Sequence, residues 1–198
     1  KKSMFRLLKN LPLLIGGSLL SYHAANLSLD AYNHFYFNPK DYLSVYGEGS
    51  YCVITKPCND LGRSLADELA TKGFNLILLE ESEEALERLR EEILAKHNVN
   101  VKTLQFNLAS SSLEIYEQLK DSLRNYDVSL LVNNLVEGDE LNFSGLDLHY
   151  IKNKIYANAL APSLITNILV PGLKGRNSKS TILNVTSNVI SNDNQLNS

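Results

Sequence analysis

From Gly49 onward, short apolar runs alternate with helical patterns at a nearly constant spacing, and this alternation constrains the architecture more than any other feature. Tyr51–Thr55 (YCVIT) is apolar and β-branched, as a strand buried on both faces must be. Leu61–Lys72 has helical periodicity, with Leu61, Leu65, Leu69 and Ala70 on one face and Gly73 closing it. Strands are expected at Asn75–Leu79, Val101–Phe106, Val128–Val132 and Ser180–Val185. Helices are expected at Ser82–Lys96, Leu113–Asn125 and Leu148–Val170. Strand–helix–strand units of this length close with right-handed crossovers. The expectation is an α/β domain with a doubly wound parallel sheet and helices on both faces.

The 198 residues hold one such domain plus an appendage. A net charge of -3 gives no basic face for nucleic acid. Cys52 falls in a buried strand and Cys58 in a loop, so both read as free thiols. His23, His34, His97 and His149 are scattered, and no Cys/His group has metal-ligand spacing, so no metal is expected. Asn26 and Asn142 head N-x-S/T triplets that carry no weight without a lumenal address. The acidic run from Glu80 to Glu92, with Arg88 and Arg90 interleaved, reads as the solvated face of a helix.

No charged residue lies between Asn10 and Leu29, and Lys1, Lys2, Arg6 and Lys9 precede that stretch. As a helix, Leu11–Leu29 would be about 28 Å long, near the hydrocarbon thickness of a bilayer. Ser18, Ser21, His23, Asn26 and Ser28 interrupt it, and Gly17, Ser21 and Ala25 form a small-residue stripe that admits a second helix. Three readings stand: a membrane anchor with helical neighbours, a mitochondrial targeting or signal-like stretch, and an amphipathic helix packed on the domain. The anchor is preferred. Residues 1–30 are assigned to it, 31–48 to a Tyr- and Phe-rich linker, 49–187 to the α/β domain and 188–198 to a polar tail.

Four sequence stretches occur in an order and spacing that resemble a known family. They are Gly49–Thr55, Lys72-Gly73-Phe74-Asn75-Leu76, Leu131-Val132-Asn133-Asn134 and Ile182-Leu183-Asn184-Val185-Thr186-Ser187. Together they resemble the short-chain dehydrogenases, in particular the membrane-bound very-long-chain 3-ketoacyl-CoA reductases and their 17β-hydroxysteroid dehydrogenase relatives. The resemblance implies a Rossmann-like sheet and a dinucleotide site. Thr55, Gly62, Asn133, Asn134 and Glu80 would be what remains of the cofactor site, and Asn158 and Ser187 of the catalytic set.

The departures matter as much. The family's first turn, Thr-Gly-x-x-x-Gly-x-Gly, lets backbone touch a pyrophosphate at a helix N-terminus. Here Lys56 and Asp60 replace its first two glycines, and only Gly62 remains. A side chain at a positive-φ position adds about 1–2 kcal/mol of strain. Asp60, expected to act as the helix N-cap, puts a carboxylate where phosphate would bind. Glu80 and Glu81 stand where the family has the basic residue that favours NADP; an acid there suits the ribose of NAD. Asn107 replaces an Asp, and Val136 a Gly. The general-acid Tyr and its Lys should follow Ser187 by about a dozen residues, and Asn188–Ser198 contain neither.

These losses favour a non-catalytic accessory subunit of a membrane-associated complex, in a mitochondrial membrane or the endoplasmic reticulum, with no cofactor. Its partners would be the membrane and other subunits, met through Gly17, Ser21, Ala25 and the open sheet edge past Ser180–Val185. The alternative is an NAD(H)- or NADP(H)-dependent 3-ketoacyl-CoA or 17β-hydroxysteroid reductase whose catalytic half lies beyond Ser198. A regulatory NAD sensor would rest on Glu80 alone.

Overall fold

The expected parallel sheet forms, with five strands in the order β3-β2-β1-β4-β5. The computed structural model describes residues 16–29, 32, 42–108, 112–134 and 147–186. Contacts divide the chain into Lys1–Lys40 and Asp41–Ser198. In the first unit, residues 16–29 form helix α1, whose 14 residues span about 21 Å. Among the described residues no helix is long and apolar enough to cross a membrane. The expected span at Leu11–Leu29 is therefore not found; its first five residues, 11–15, lie outside the described residues. Gly17, Ser21 and Ala25 are all exposed on α1.

In the second unit, α2 (Tyr42–Tyr46) is a short helix within the expected linker. The sheet consists of β1 (Tyr51–Thr55), β2 (Asn75–Glu80), β3 (Val101–Gln105), β4 (Val128–Asn134) and β5 (Thr181–Val185). Helices α3 (Asp60–Thr71), α4 (Glu83–Lys96) and α5 (Leu113–Leu123) cross between the first four strands. The last crossover is α6 (Leu148–Ile155), a π-helical turn (Tyr156–Leu160) and α7 (Ala161–Gly175), where a single helix was expected. Every strand pairing is parallel, with Tyr51 opposite Asn75 and Leu131 opposite Ile182.

Side chains alternating along the strands build two cores. Val53, Ile77, Leu79 and Leu131 meet Tyr116 and Leu119 of α5 and Ile165 and Leu169 of α7 on one face. Cys52, Ile54, Leu76, Leu78 and Val132 meet Ala66 and Ala70 of α3 and Leu86, Leu89 and Ile93 of α4 on the other. Full burial of each such aliphatic side chain contributes about 1.5–3 kcal/mol, so the central strands anchor the domain.

The buried stripe of α3 differs from the expected one. Gly62, Ala66 and Ala70 face the sheet, Leu65 and Leu69 flank it, and Leu61 is 47% exposed. Small residues let α3 approach β1 closely, which leaves Leu61 on the outside. The acidic run behaves as expected: Arg63–Glu92, Arg88–Glu84 and Arg90–Glu87 are surface ion pairs at 2.7, 3.6 and 2.9 Å.

Candidate functional site

The strand order reverses between β1 and β4, and in open parallel sheets the crevice outside the carboxyl ends of the strands at such a point is where ligands bind. Most of the residues singled out in the sequence converge there. Thr55 ends β1 fully buried; its hydroxyl donates to the Val132 carbonyl at 3.3 Å and accepts from the Asn134 N–H at 2.9 Å. The Asn134 side chain, also fully buried, donates to the Lys56 carbonyl at 2.9 Å and to Asn59 Oδ1 at 3.0 Å. The end of β4 thus braces the loop that follows β1.

That loop keeps a turn which suits glycine. Lys56 has φ +46°, the only positive φ at a non-glycine among the described residues. This conformation crowds the Cβ of an L-residue and costs about 1–2 kcal/mol. It persists because its surroundings dictate it, a kind of strain that gathers at ligand-binding sites. Gly62 shows how closely the loop folds over α3. A Cβ there would lie 2.5 Å from the Lys56 carbonyl oxygen, 2.7 Å from Pro57 Cα and 2.8 Å from Asn134 Nδ2. No side chain fits, so the retained glycine has a packing cause.

The helix cap corrects an expectation. Asn59, not Asp60, is the N-cap of α3; its backbone is extended and its Oδ1 accepts from the Gly62 N–H at 2.7 Å. The Asn59 carbonyl takes the Arg63 N–H at 2.9 Å. The N–H groups of Asp60 and Leu61 are left for an incoming anion. Asp60 occupies the first helical position and is exposed. It adds a negative charge to the first turn of α3 but does not cap it.

Glu80 ends β2, next to β1, and its Oε1 accepts from the Glu81 N–H at 2.9 Å. Glu81 is exposed, and its carbonyl accepts from Gln105 Nε2 at 3.0 Å. Burial pushes the Cys58 thiol up to about 11, and the nearby Glu80 charge adds to the shift. The Lys56 N–H donates to the Leu79 carbonyl at 2.9 Å, which holds the end of β2 against the loop. The backbone frame therefore suits a dinucleotide, while the charge at Glu80 suits an unphosphorylated ribose and opposes a 2′-phosphate.

Asn133 belongs to a neighbouring network, donating to Asn184 Oδ1 of β5 at 2.8 Å and to the Thr166 hydroxyl of α7 at 3.2 Å. Among the described residues, the buried Oδ1 atoms of Asn133 and Asn134 have no hydrogen-bond partner. An unmet buried acceptor costs about 1–3 kcal/mol, and the two lie on opposite faces of the sheet, Asn133 toward α7 and Asn134 toward the loop after β1. Asn158 lies in the π-helical turn and is exposed; among the described residues no hydrogen bond joins it to the other site residues. π turns inside helices are frequent at functional sites. Asn107 is exposed just past β3, while Ser187 and Val136 lie outside the described residues. Sequence reasoning missed Asn59, Thr166 and Asn184. An asparagine directly before a helical pattern was the available signal for Asn59; nothing local marked the other two.

Comparison with known proteins agrees with this geometry. A family model described as short chain dehydrogenase matches residues 51–197. The chain is 34% identical over 143 residues to the very-long-chain 3-oxoacyl-CoA reductase of Bos taurus, covering 70% of this chain and 45% of that protein. It is 32% identical over 145 residues to the Homo sapiens protein of the same name, covering 71% and 46%. The chain thus spans less than half the length of these relatives. Among solved structures, the L-sorbose reductase of Gluconobacter frateurii, complexed with NADPH and L-sorbose, superposes with a TM-score of 0.62 at 21% identity, covering 69% of this chain and 52% of that one. This last likeness shows the fold alone. The family match over residues 51–197, on a parallel sheet with a braced, glycine-type turn after its first strand, shows that the chain belongs to the short-chain dehydrogenase family.

Proposed function

We propose that this chain carries the dinucleotide-binding portion of an oxidoreductase related to the very-long-chain 3-oxoacyl-CoA reductases, reading NAD(H) rather than NADP(H). The substrate class is a 3-oxoacyl thioester or a comparable bulky ketone, by kinship with the bovine and human proteins. The observation that carries this reading is the loop after β1. Lys56 is held at φ +46° although lysine is unsuited to it, and Asn134 and Gly62 still brace that turn. Glu80 supplies the acceptor for a ribose 2′-hydroxyl, while Thr55, Asn133 and Asn134 hold the frame.

A second reading is favoured by Asp60: a non-catalytic accessory subunit on a membrane, with the cofactor lost. Asp60 adds a negative charge to the first turn of α3, where a diphosphate would have to bind. Under either reading the uncharged stretch before Leu29, together with Lys1, Lys2, Arg6 and Lys9, associates the protein with a membrane.

Titration calorimetry of the whole chain with NADH and NADPH separates the readings. The oxidoreductase reading expects NADH to bind and NADPH not to, with Lys56→Gly/Asp60→Gly tightening NADH. If neither nucleotide binds the wild type or the double variant, the accessory reading stands and the oxidoreductase reading falls. Tight NADPH binding would overturn the role given to Glu80.

A further inference from the structure

We propose that the end of the α/β domain opposite the dinucleotide cleft is a docking surface for an anionic lipid bilayer. The inference rests on the membrane association proposed above and adds the surface and its orientation. In a parallel α/β sheet every helix runs back against its strands, so helix C-termini gather at the amino ends of the strands. Here α3 is capped by Lys72, α4 ends on Lys96, α5 carries Lys120 in its last turn and α7 carries Lys174. The opposite end carries Asp60, Glu83, Glu84 and Glu114 in the first turns of α3, α4 and α5. Such placement complements the helix dipoles, and it also gives the domain a basic end and an acidic end.

Two further observations raise the basic end above a set of helix caps. One is the state of its cations. Lys72, Lys96 and Lys120 are paired with Glu68, Asp67 and Glu117 at 3.1, 3.5 and 3.3 Å. Arg124, Lys174 and Lys179 are exposed, and among the described residues their side chains have no partner. The acids facing them are few: Asp127 is engaged by Arg176, and Asp121 and Glu48 remain. The other is apolar relief between those cations. A cleft of about 500 Å³ between α5 and α7 is floored by Leu123, Ile168, Leu169 and Leu173, and its charged rim holds Lys120 and Arg124 together with Asp121 and Asp127. Leu173 also lines a second cleft of about 360 Å³ with Val170, Lys174 and Ile182. Each cleft borders one unpaired cation, Arg124 at the first and Lys174 at the second, an arrangement that suits acyl chains below anionic headgroups.

The chain also enters the domain at this end. The Lys179 N–H donates to the Val45 carbonyl of α2 at 3.1 Å, the Tyr46 hydroxyl meets the Thr181 hydroxyl at 3.0 Å, and Arg176 donates to the Tyr46 carbonyl. Tyr42, 42% exposed on α2, has the Lys72 ammonium 5.9 Å from its ring centre. An aromatic ring beside a cation is typical of residues at a membrane interface. Residues 41–198 carry 14 Lys and Arg against 21 Asp and Glu, a net charge of 14 − 21 = −7. A domain of that charge can approach an anionic surface only with its basic end leading, so the cleft faces the aqueous phase.

The test is co-sedimentation of the whole chain with phosphatidylcholine vesicles, with and without about 30 mol % phosphatidylserine. Phosphatidylserine should tighten binding, and added salt should remove the gain. Arg124→Gln/Lys174→Gln/Lys179→Gln should reduce the phosphatidylserine-dependent gain by about a hundredfold, at about fivefold per cation. Glu83→Gln/Glu84→Gln/Glu114→Gln at the acidic end should leave the gain in place. Binding to both vesicles without a phosphatidylserine gain, or an undiminished gain in the first triple variant, would overturn the docking surface and spare the membrane association. Absence of binding to either vesicle would remove both. Should the first triple variant misfold, quenching by a lipid-borne quencher of a dye on Lys174→Cys, compared with one on Glu83→Cys, reads the orientation in the folded protein; equal quenching refutes it.

Discussion

Replacing Lys56 by glycine isolates the strain stored in the loop after β1. At φ +46° the lysine backbone carries about 1–2 kcal/mol that glycine would not. Glycine also makes the unfolded chain more flexible, which removes about 0.4–1 kcal/mol of that gain. The difference leaves Lys56→Gly more stable by about 0.5–1 kcal/mol, a rise of about 1–4 °C in melting temperature for a chain of this size. Lys56→Ala is the necessary control. It deletes the same side chain, and whatever that side chain touches, but keeps a Cβ at the strained φ. Thermal melts and urea titrations should therefore show stabilisation for the glycine variant and none for the alanine variant. If the two variants shift alike, the side chain rather than the backbone is responsible. If neither gains, the turn is not strained, and the strongest support for a retained nucleotide loop disappears.

Gly62→Ala should act in the opposite sense, losing about 1–3 kcal/mol, because its Cβ would meet the backbone of Lys56 and Pro57 at 2.5 and 2.7 Å; urea titration at unchanged m-value reads this, and a neutral result would refute the close approach of loop and helix. Cys58, with its thiol near 11, should be about one part in a thousand thiolate at pH 8, so its alkylation by iodoacetamide should be slow and rise about tenfold per pH unit up to about pH 10; fast modification at pH 8 would contradict the burial. The hydrogen bond from His97, at 2.9 Å, holds the Asp67 carboxyl below its usual range. The stability it confers is full above the ordinary Asp value of about 3.9 and is lost as pH falls through the lower folded value. The difference in urea midpoint between wild type and Asp67→Asn should therefore close on acidification, and a difference that is constant from neutral to low pH would exclude the link.

Strand positions were legible to within one or two residues because apolar β-branched runs bounded by turns have few alternatives in a parallel sheet. Three features were not legible, each for a local reason. Asn59 and Asp60 are adjacent and about equally good N-caps. The choice fell to tertiary structure, since only Asn59 can bond Gly62 and Asn134 at once. On α3, two neighbouring stripes competed for the sheet. The leucine stripe is the more apolar, but the Gly62–Ala66–Ala70 stripe permits the closer approach, and packing at the loop decides for it. The π turn at Tyr156–Leu160 inserts an irregularity shorter than the window over which helical periodicity can be read. For the site, the family motif located Thr55, Gly62, Asn133, Asn134 and Glu80. The partners Thr166 and Asn184 are remote in sequence from Asn133, and only the sheet brings them to it.

The frame of the cleft and its charge are set by different residues, so one can be kept while the other drifts. Thr55, Asn134 and Gly62 act through buried hydrogen bonds and backbone contact, and the sheet cannot lose them without cost. Asp60 is exposed and answers mainly to the first turn of α3, where a carboxylate gains about 0.3–1 kcal/mol from the helix dipole. Against a phosphate charge about 5 Å away, the same carboxylate costs about 3 kcal/mol at an effective dielectric of 20, and about 0.8 kcal/mol if water screens it fully. Folding therefore favours Asp60 slightly, while diphosphate binding disfavours it by roughly four- to two-hundredfold per phosphate charge. The oxidoreductase reading requires the screened end of that range, with the cleft open to water at Asp60. It follows that NADH affinity should depend on Asp60 more steeply in low salt than in high salt. A wild-type affinity indifferent to ionic strength, with Asp60→Gly giving no gain, would show that the carboxylate points away from the phosphates.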